Sequence, residues 1–66
     1  MKKYIIYNYV GNGFWGGESR GFQEGFVYND KVEIFESKID AENEITSNII
    51  SNYQGVFEVI EVFRNI

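Results

Sequence analysis

The stretch Ile34-Phe35-Glu36-Ser37-Lys38-Ile39-Asp40-Ala41-Glu42 is where the apolar spacing changes from two residues to about 3.6. Before Ser37, over 31–36, Val32 and Ile34 fall on one face of an extended segment and Phe35 on the other, which reads as a strand. Ser37 is placed to accept from the amide of Asp40, with Asp40 able to reach back, a Ser-x-x-Asp variant of the capping box. Asp40, Glu42 and Glu44 then stand in the early turns, where negative charge suits the helix dipole. Ala41, Ile45, Ile49 and Tyr53 recur at i+4 with Ile39 and Ile50 flanking, so an amphipathic helix is expected over 38–53, with Gly55 as its stop. Asn43, Ser47, Asn48 and Ser51 on its polar face are middling helix formers, so packing rather than propensity must hold it.

Working outward, residues 3–10 are β-branched or aromatic at nearly every position and form a strand. Ile5, Tyr7 and Tyr9 share one face; Tyr4, Ile6 and Val10 share the other. A second strand is expected over 22–28, kinked at Gly25, with Asn29-Asp30 turning into the strand at 31–36. The last, 56–63, sets Phe57, Val59 and Phe63 against Ile60 and Val62, the latter face shared with Glu58. The order β-β-β-α-β describes a single α+β domain over 1–66, a small, mostly antiparallel sheet of three to four strands packed on one helix. One helix covers one face. The first and last strands are apolar on both, so a folded-back loop or a partner is expected on the second.

Six of the seven glycines lie between Gly11 and Gly25, interleaved with Phe14, Trp15, Phe22 and Phe26. Residues 11–21 read as a loop that gives backbone freedom and presents aromatic area, a binding feature rather than a catalytic one. Phe14, Trp15, Arg20 and Phe22 are its candidate contact residues, because aromatic and arginine side chains dominate protein interfaces. For Phe14 and Trp15 the alternative is that both rings tuck beneath the loop and complete the core. Gly11-Asn12-Gly13-Phe14-Trp15-Gly16 matches G-x-G-x-x-G, but Gly17-Glu18-Ser19-Arg20-Gly21 follows where a phosphate site needs a helix to begin.

There is no cysteine and no histidine, which removes thiolate chemistry and the commonest metal ligand and proton carrier. Asp40 and Glu44 lie one turn apart without a third ligand at matching spacing, and Glu58 and Glu61 fall on opposite faces of a strand. No catalytic residue, metal or cofactor is expected, and the chain reads as a non-enzyme. Net charge is −4, and the six bases form no run longer than two, which disfavours direct nucleic-acid binding. Between Asp30 and Glu44 acids outnumber bases six to two. Asp30, Glu33, Glu36, Asp40, Glu42 and Glu44 are therefore either a solvated face or an acidic patch imitating nucleic-acid phosphates to block a basic cleft. Tyr4, Tyr7, Tyr9 and Tyr28 could also stack on a small ligand or a single strand. No apolar run approaches the ~18 residues of a membrane span. The two-lysine start reads as a strand opening rather than a signal peptide, and a cytoplasmic location is expected.

The segment 34–42, followed by a helix and then Phe57-Glu58-Val59-Ile60-Glu61-Val62, resembles a pattern in many small accessory proteins of bacteriophages and prophages. It covers the C-terminal half; the Gly-aromatic loop lies outside it. What the resemblance implies is a protein that acts by binding, as an inhibitor of a host protein. The reading that results is a protein-binding module, homodimeric, using the loop and an exposed sheet face.

Overall fold

A computed structural model describes residues 2–10, 13–24, 31–47, 50, 53 and 55–63. In chain order the elements are β1 (Lys2–Asn8), β2 (Gly13–Trp15), β3 (Phe22–Glu24), α1 (Lys38–Ile45) and β4 (Phe57–Phe63). They form a small α+β domain, a four-stranded sheet in the order β3-β2-β1-β4 with α1 packed on β1 and β4. Every pairing is antiparallel.

β1 is the strand on which the others are ordered, as its β-branched and aromatic run requires. On one side it pairs with β4 along its whole length, from Lys2 opposite Phe63 to Asn8 opposite Phe57. Its other edge is shared. β2 takes Tyr7 and Asn8 through Phe14 and Gly13, and farther down Tyr4 exchanges both backbone hydrogen bonds with Phe35, at 3.0 and 2.8 Å. The amide of Glu33 also donates to the carbonyl of Trp15 at 2.8 Å. The strand expected over 31–36 is thus an extended segment with a single bridge, because β2 already occupies part of the edge it would need.

The loop expected over 11–21 contains β2. Gly13 is glycine for close approach rather than for a turn: a Cβ there would stand 2.7 Å from the carbonyl oxygen of Gln23 on β3. The turn proper is Gly16 to Gly21, where Gly16 donates to Gly21 at 2.8 Å and Gly17 and Gly21 adopt φ of +91° and +66°. These two positions need glycine for its left-handed backbone. The expected strand over 22–28 is seen as β3; its continuation, Gly25 and the Asn29-Asp30 turn lie outside the described residues.

Expected to end at Val10, β1 stops at Asn8. The Asn8 side-chain oxygen accepts from the amide of Val10 at 3.0 Å, and this Asx turn bends the chain away. Gly55 presses on that side chain; a Cβ on it would stand within 2.1 Å of the Asn8 oxygen. Gly55 therefore fits against the end of β1; its expected role as a helix stop falls on a segment, 51–54, that lies mostly outside the described residues.

Ser37 caps α1 as its spacing requires, accepting from Asp40 N at 3.2 Å. Expected to run to residue 53, α1 reaches its C-cap at Thr46. Thr46 Oγ1 donates to the carbonyl of Asn43 at 3.0 Å and Ser47 Oγ to that of Glu44 at 2.6 Å. Hydroxyls that occupy helix carbonyls compete with continuation of the ladder. Ile50 is again helical; residues 48, 49, 51 and 52 lie outside the described part.

The core on the helix side is Ile6, Trp15, Ala41 and Ile50, with Tyr4, Phe22, Phe35, Ile45, Phe57 and Val59 packed against it. Phe22 and Phe57, from the two outer strands, stack at 5.3 Å and 12°. Gly13 and Asn8, on the intervening strands, are short enough to leave room for that contact. On the opposite face Ile5 and Tyr7 are only 2% and 6% exposed. The second face of β1 is thus already covered within one chain.

Candidate interaction surface

Two ends of the sheet offer surface. At the first, the Asx turn after β1 takes Tyr9 and Val10 out of the strand, and Tyr9 N donates to Val56 O at 2.9 Å. Tyr9, Val10 and Val56 are 50%, 64% and 62% exposed, the largest apolar exposures at this end of the fold among the described residues. Three exposed apolar residues gathered at one end of the sheet, two of them consecutive and the third bonded to them through the backbone, form a patch rather than singly scattered surface residues.

The ring of Tyr9 continues a row of aromatics across the second face. Tyr7 meets it edge-on at 4.9 Å and meets Phe14 edge-on at 4.8 Å. Phe14 is half-buried, and Glu58 stands opposite Tyr7 on β4. The Tyr9 hydroxyl is hydrogen-bonded to Glu58; that bond first, then burial and the carboxylate's charge, hold the phenol above its ordinary value. An apolar ledge with one acidic group at its rim results.

The other end is the tight turn after β2. Arg20 N and Gly21 N both bond to Gly17 O, at 3.2 and 2.8 Å, leaving Glu18, Ser19 and Arg20 exposed. The structure separates the four expected contact residues. Phe14 keeps part of its surface, and Arg20 is exposed at the turn. Phe22 packs on the core and Trp15 is 0% exposed, so Trp15 has no surface to give a partner and is corrected from interface anchor to core. Its ring contacts Phe22 at 4.9 Å and Tyr53 at 5.6 Å, and its Nε1 donates to Glu44 Oε2 at 3.1 Å.

That bond also divides the acidic patch. Glu44 is half-buried and turned toward Trp15, three residues after buried Ala41 on the sheet side of α1. Glu36 pairs with Lys3, whose side chain is nearly buried. Glu33, Asp40 and Glu42 are exposed; Asp30 lies outside the described residues. Of the tyrosines proposed as stacking platforms, Tyr7 is buried, Tyr4 is half-buried and Tyr28 is outside the described residues. Sequence reasoning missed Val56 and Val10 as surface. The available signal was Asn8, whose Asx turn takes the following residues out of the strand.

No group of three or more acidic residues among the described residues is arranged to hold a metal ion, and no helix there is long and apolar enough to cross a membrane. Compared with protein-family models, curated proteins and solved structures, the chain matches none.

Proposed function

We propose that this chain is a non-enzymatic protein-binding module whose contact surface is the ledge Tyr9, Val10 and Val56, flanked by Phe14 and Glu58. The observation that carries the reading is the exposure of three apolar side chains at one end of the sheet in a chain that buries Trp15 and Ile6 completely. Aromatic and aliphatic anchors with a polar rim are what protein interfaces use. The resemblance of the C-terminal half to small phage and prophage proteins supports a host protein as the target and inhibition as the effect. Acidic mimicry is less well supported, since Glu36 and Glu44 are engaged within the fold.

The test compares wild type with the combined variant Tyr9→Ser, Val10→Ser, Val56→Ser as baits for cell protein. Each side chain is at least half exposed, so the fold should survive, as a circular dichroism melt would report. A protein retained by wild type and weakened at least about tenfold by the folded variant supports the ledge. Equal retention by both baits sinks it.

A further inference from the structure

We propose that two copies of this chain join edge to edge through β4, antiparallel about a two-fold axis at Ile60, so that one sheet runs through both. This takes up the homodimer expected from the sequence and moves its surface from the sheet face to the sheet edge. It does not use the Tyr9-Val10-Val56 ledge.

β4 is the last strand in the sheet order, and among the described residues only β1 pairs with it. It is seven residues long and holds neither proline nor lysine, two residues that blunt an edge; its charged residues are Glu58 and Glu61. Because Val56 O accepts from Tyr9 N, the backbone groups of Glu58, Ile60 and Val62 also face β1. Those of Phe57, Val59, Glu61 and Phe63 face outward. The exchange between Tyr4 and Phe35 agrees, since Tyr4 stands opposite Glu61 and spends its own backbone groups on the other edge.

Antiparallel pairing joins outward residues only to outward residues, which limits the symmetric registers. With Ile60 opposite Ile60 of the second copy, Phe57 stands opposite Phe63 and Val59 opposite Glu61, and all seven residues of the strand are used. Glu58 then stands opposite Val62, so no glutamate faces a glutamate. Moving the axis to Glu61 puts two carboxylates directly opposite each other, and like charges so placed are destabilising. Moving it to Val59 takes Val62 and Phe63 out of the strand-to-strand overlap. Phe57-Glu58-Val59-Ile60-Glu61-Val62-Phe63 reads F-E-V-I-E-V-F, and of these three symmetric pairings with itself the one centred on Ile60 is the most favourable.

The experiment begins with sedimentation of the wild-type chain, which should shift with concentration toward twice its 7.7 kDa mass. Glu61→Pro removes an outward N–H that no other strand of the described sheet uses, a position where an edge strand tolerates proline. It should sediment as a folded monomer. The register is tested with single cysteines, since the chain has none of its own. Residue 60 faces its own copy in a non-hydrogen-bonded pair at about 4.5 Å between Cα atoms, within disulfide reach. Oxidised Ile60→Cys should therefore become a covalent dimer. Glu58→Cys should stay uncrosslinked, its copies lying about 13 Å apart along the strands. A wild type that stays monomeric at all concentrations overturns the proposal, as does a Glu61→Pro chain that still dimerises. Glu58→Cys crosslinking as readily as Ile60→Cys overturns the register. Dimer loss with the ledge still binding its target separates this failure from failure of the protein-binding reading.

Discussion

A buried indole needs an acceptor for its N–H, and Trp15 finds one in Glu44, 3.1 Å away on α1. The bond explains why an acidic residue on the helix turns inward, and it ties β2 to α1. Trp15→Ala should cost about 3–5 kcal/mol, enough to unfold most of so small a domain, as urea melts would show. Glu44→Ala should cost about 1–3 kcal/mol by leaving the N–H unpaired, while Glu44→Gln keeps an acceptor and recovers most of it. Residue identity alone left Trp15 open between core and interface, because a large aromatic suits both; its strand register and neighbours decide. Tyr9 shows the reverse case, an aromatic at the surface whose chemistry comes from one neighbour. Glu58 favours the neutral phenol, so Tyr9's contribution to stability is full below the unfolded value near 10 and lost as pH rises through its higher folded value. An NMR titration of the Tyr9 ring should find its midpoint above that of free tyrosine, and Glu58→Ala should bring it back; no movement on substitution would remove Glu58 as the cause.

At the scale of elements, patterns of two and 3.6 were legible wherever several large apolar residues repeated, as in β1, β4 and the start of α1. Ser37 marked the helix start correctly because a cap is a local bond between neighbours, accepting from Asp40 N at 3.2 Å. Ser37→Ala should therefore cost about 1 kcal/mol in chemical denaturation, with Ser37→Asp near neutral. What escaped was set by contacts distant in sequence or by small side chains. β2 is three residues opening on a glycine, and only β3 alongside reveals why that residue has no side chain. Gly13→Ala would push a methyl against Gln23 O at 2.7 Å, so the β2–β3 pairing must shift; loss of amide protection in Gly13–Trp15 on hydrogen exchange is the expected result. The end of α1 was hidden for a related reason. Thr46 and Ser47 look like ordinary polar-face residues until their hydroxyls are seen on the carbonyls of Asn43 and Glu44.

For the whole molecule, the apolar character of both faces of β1 was legible in its alternation, and of the two covers expected for the second face, a folded-back loop or a partner, β1 itself does not need the partner. Ile5 and Tyr7 are buried within a single chain. The two surfaces proposed for contact lie at an end and along an edge, the Tyr9-Val10-Val56 ledge and the outer side of β4, and neither is visible until the strand order is known. A net charge of −4 on each chain opposes self-association, so an edge held by backbone hydrogen bonds should pair more tightly as salt rises. Dimerisation also makes stability depend on concentration, because folding then draws on mass action. A tenfold rise in protein concentration is worth about 1.4 kcal/mol per dimer, hence about 0.7 kcal/mol per chain. For a domain of this size that raises Tm by a few degrees. Calorimetry of wild type at increasing concentration should show this climb, steeper at high salt, while Glu61→Pro should melt at one temperature throughout. A wild-type Tm that ignores concentration would mean that the fold stands on its own packing and that its open edge is left to solvent.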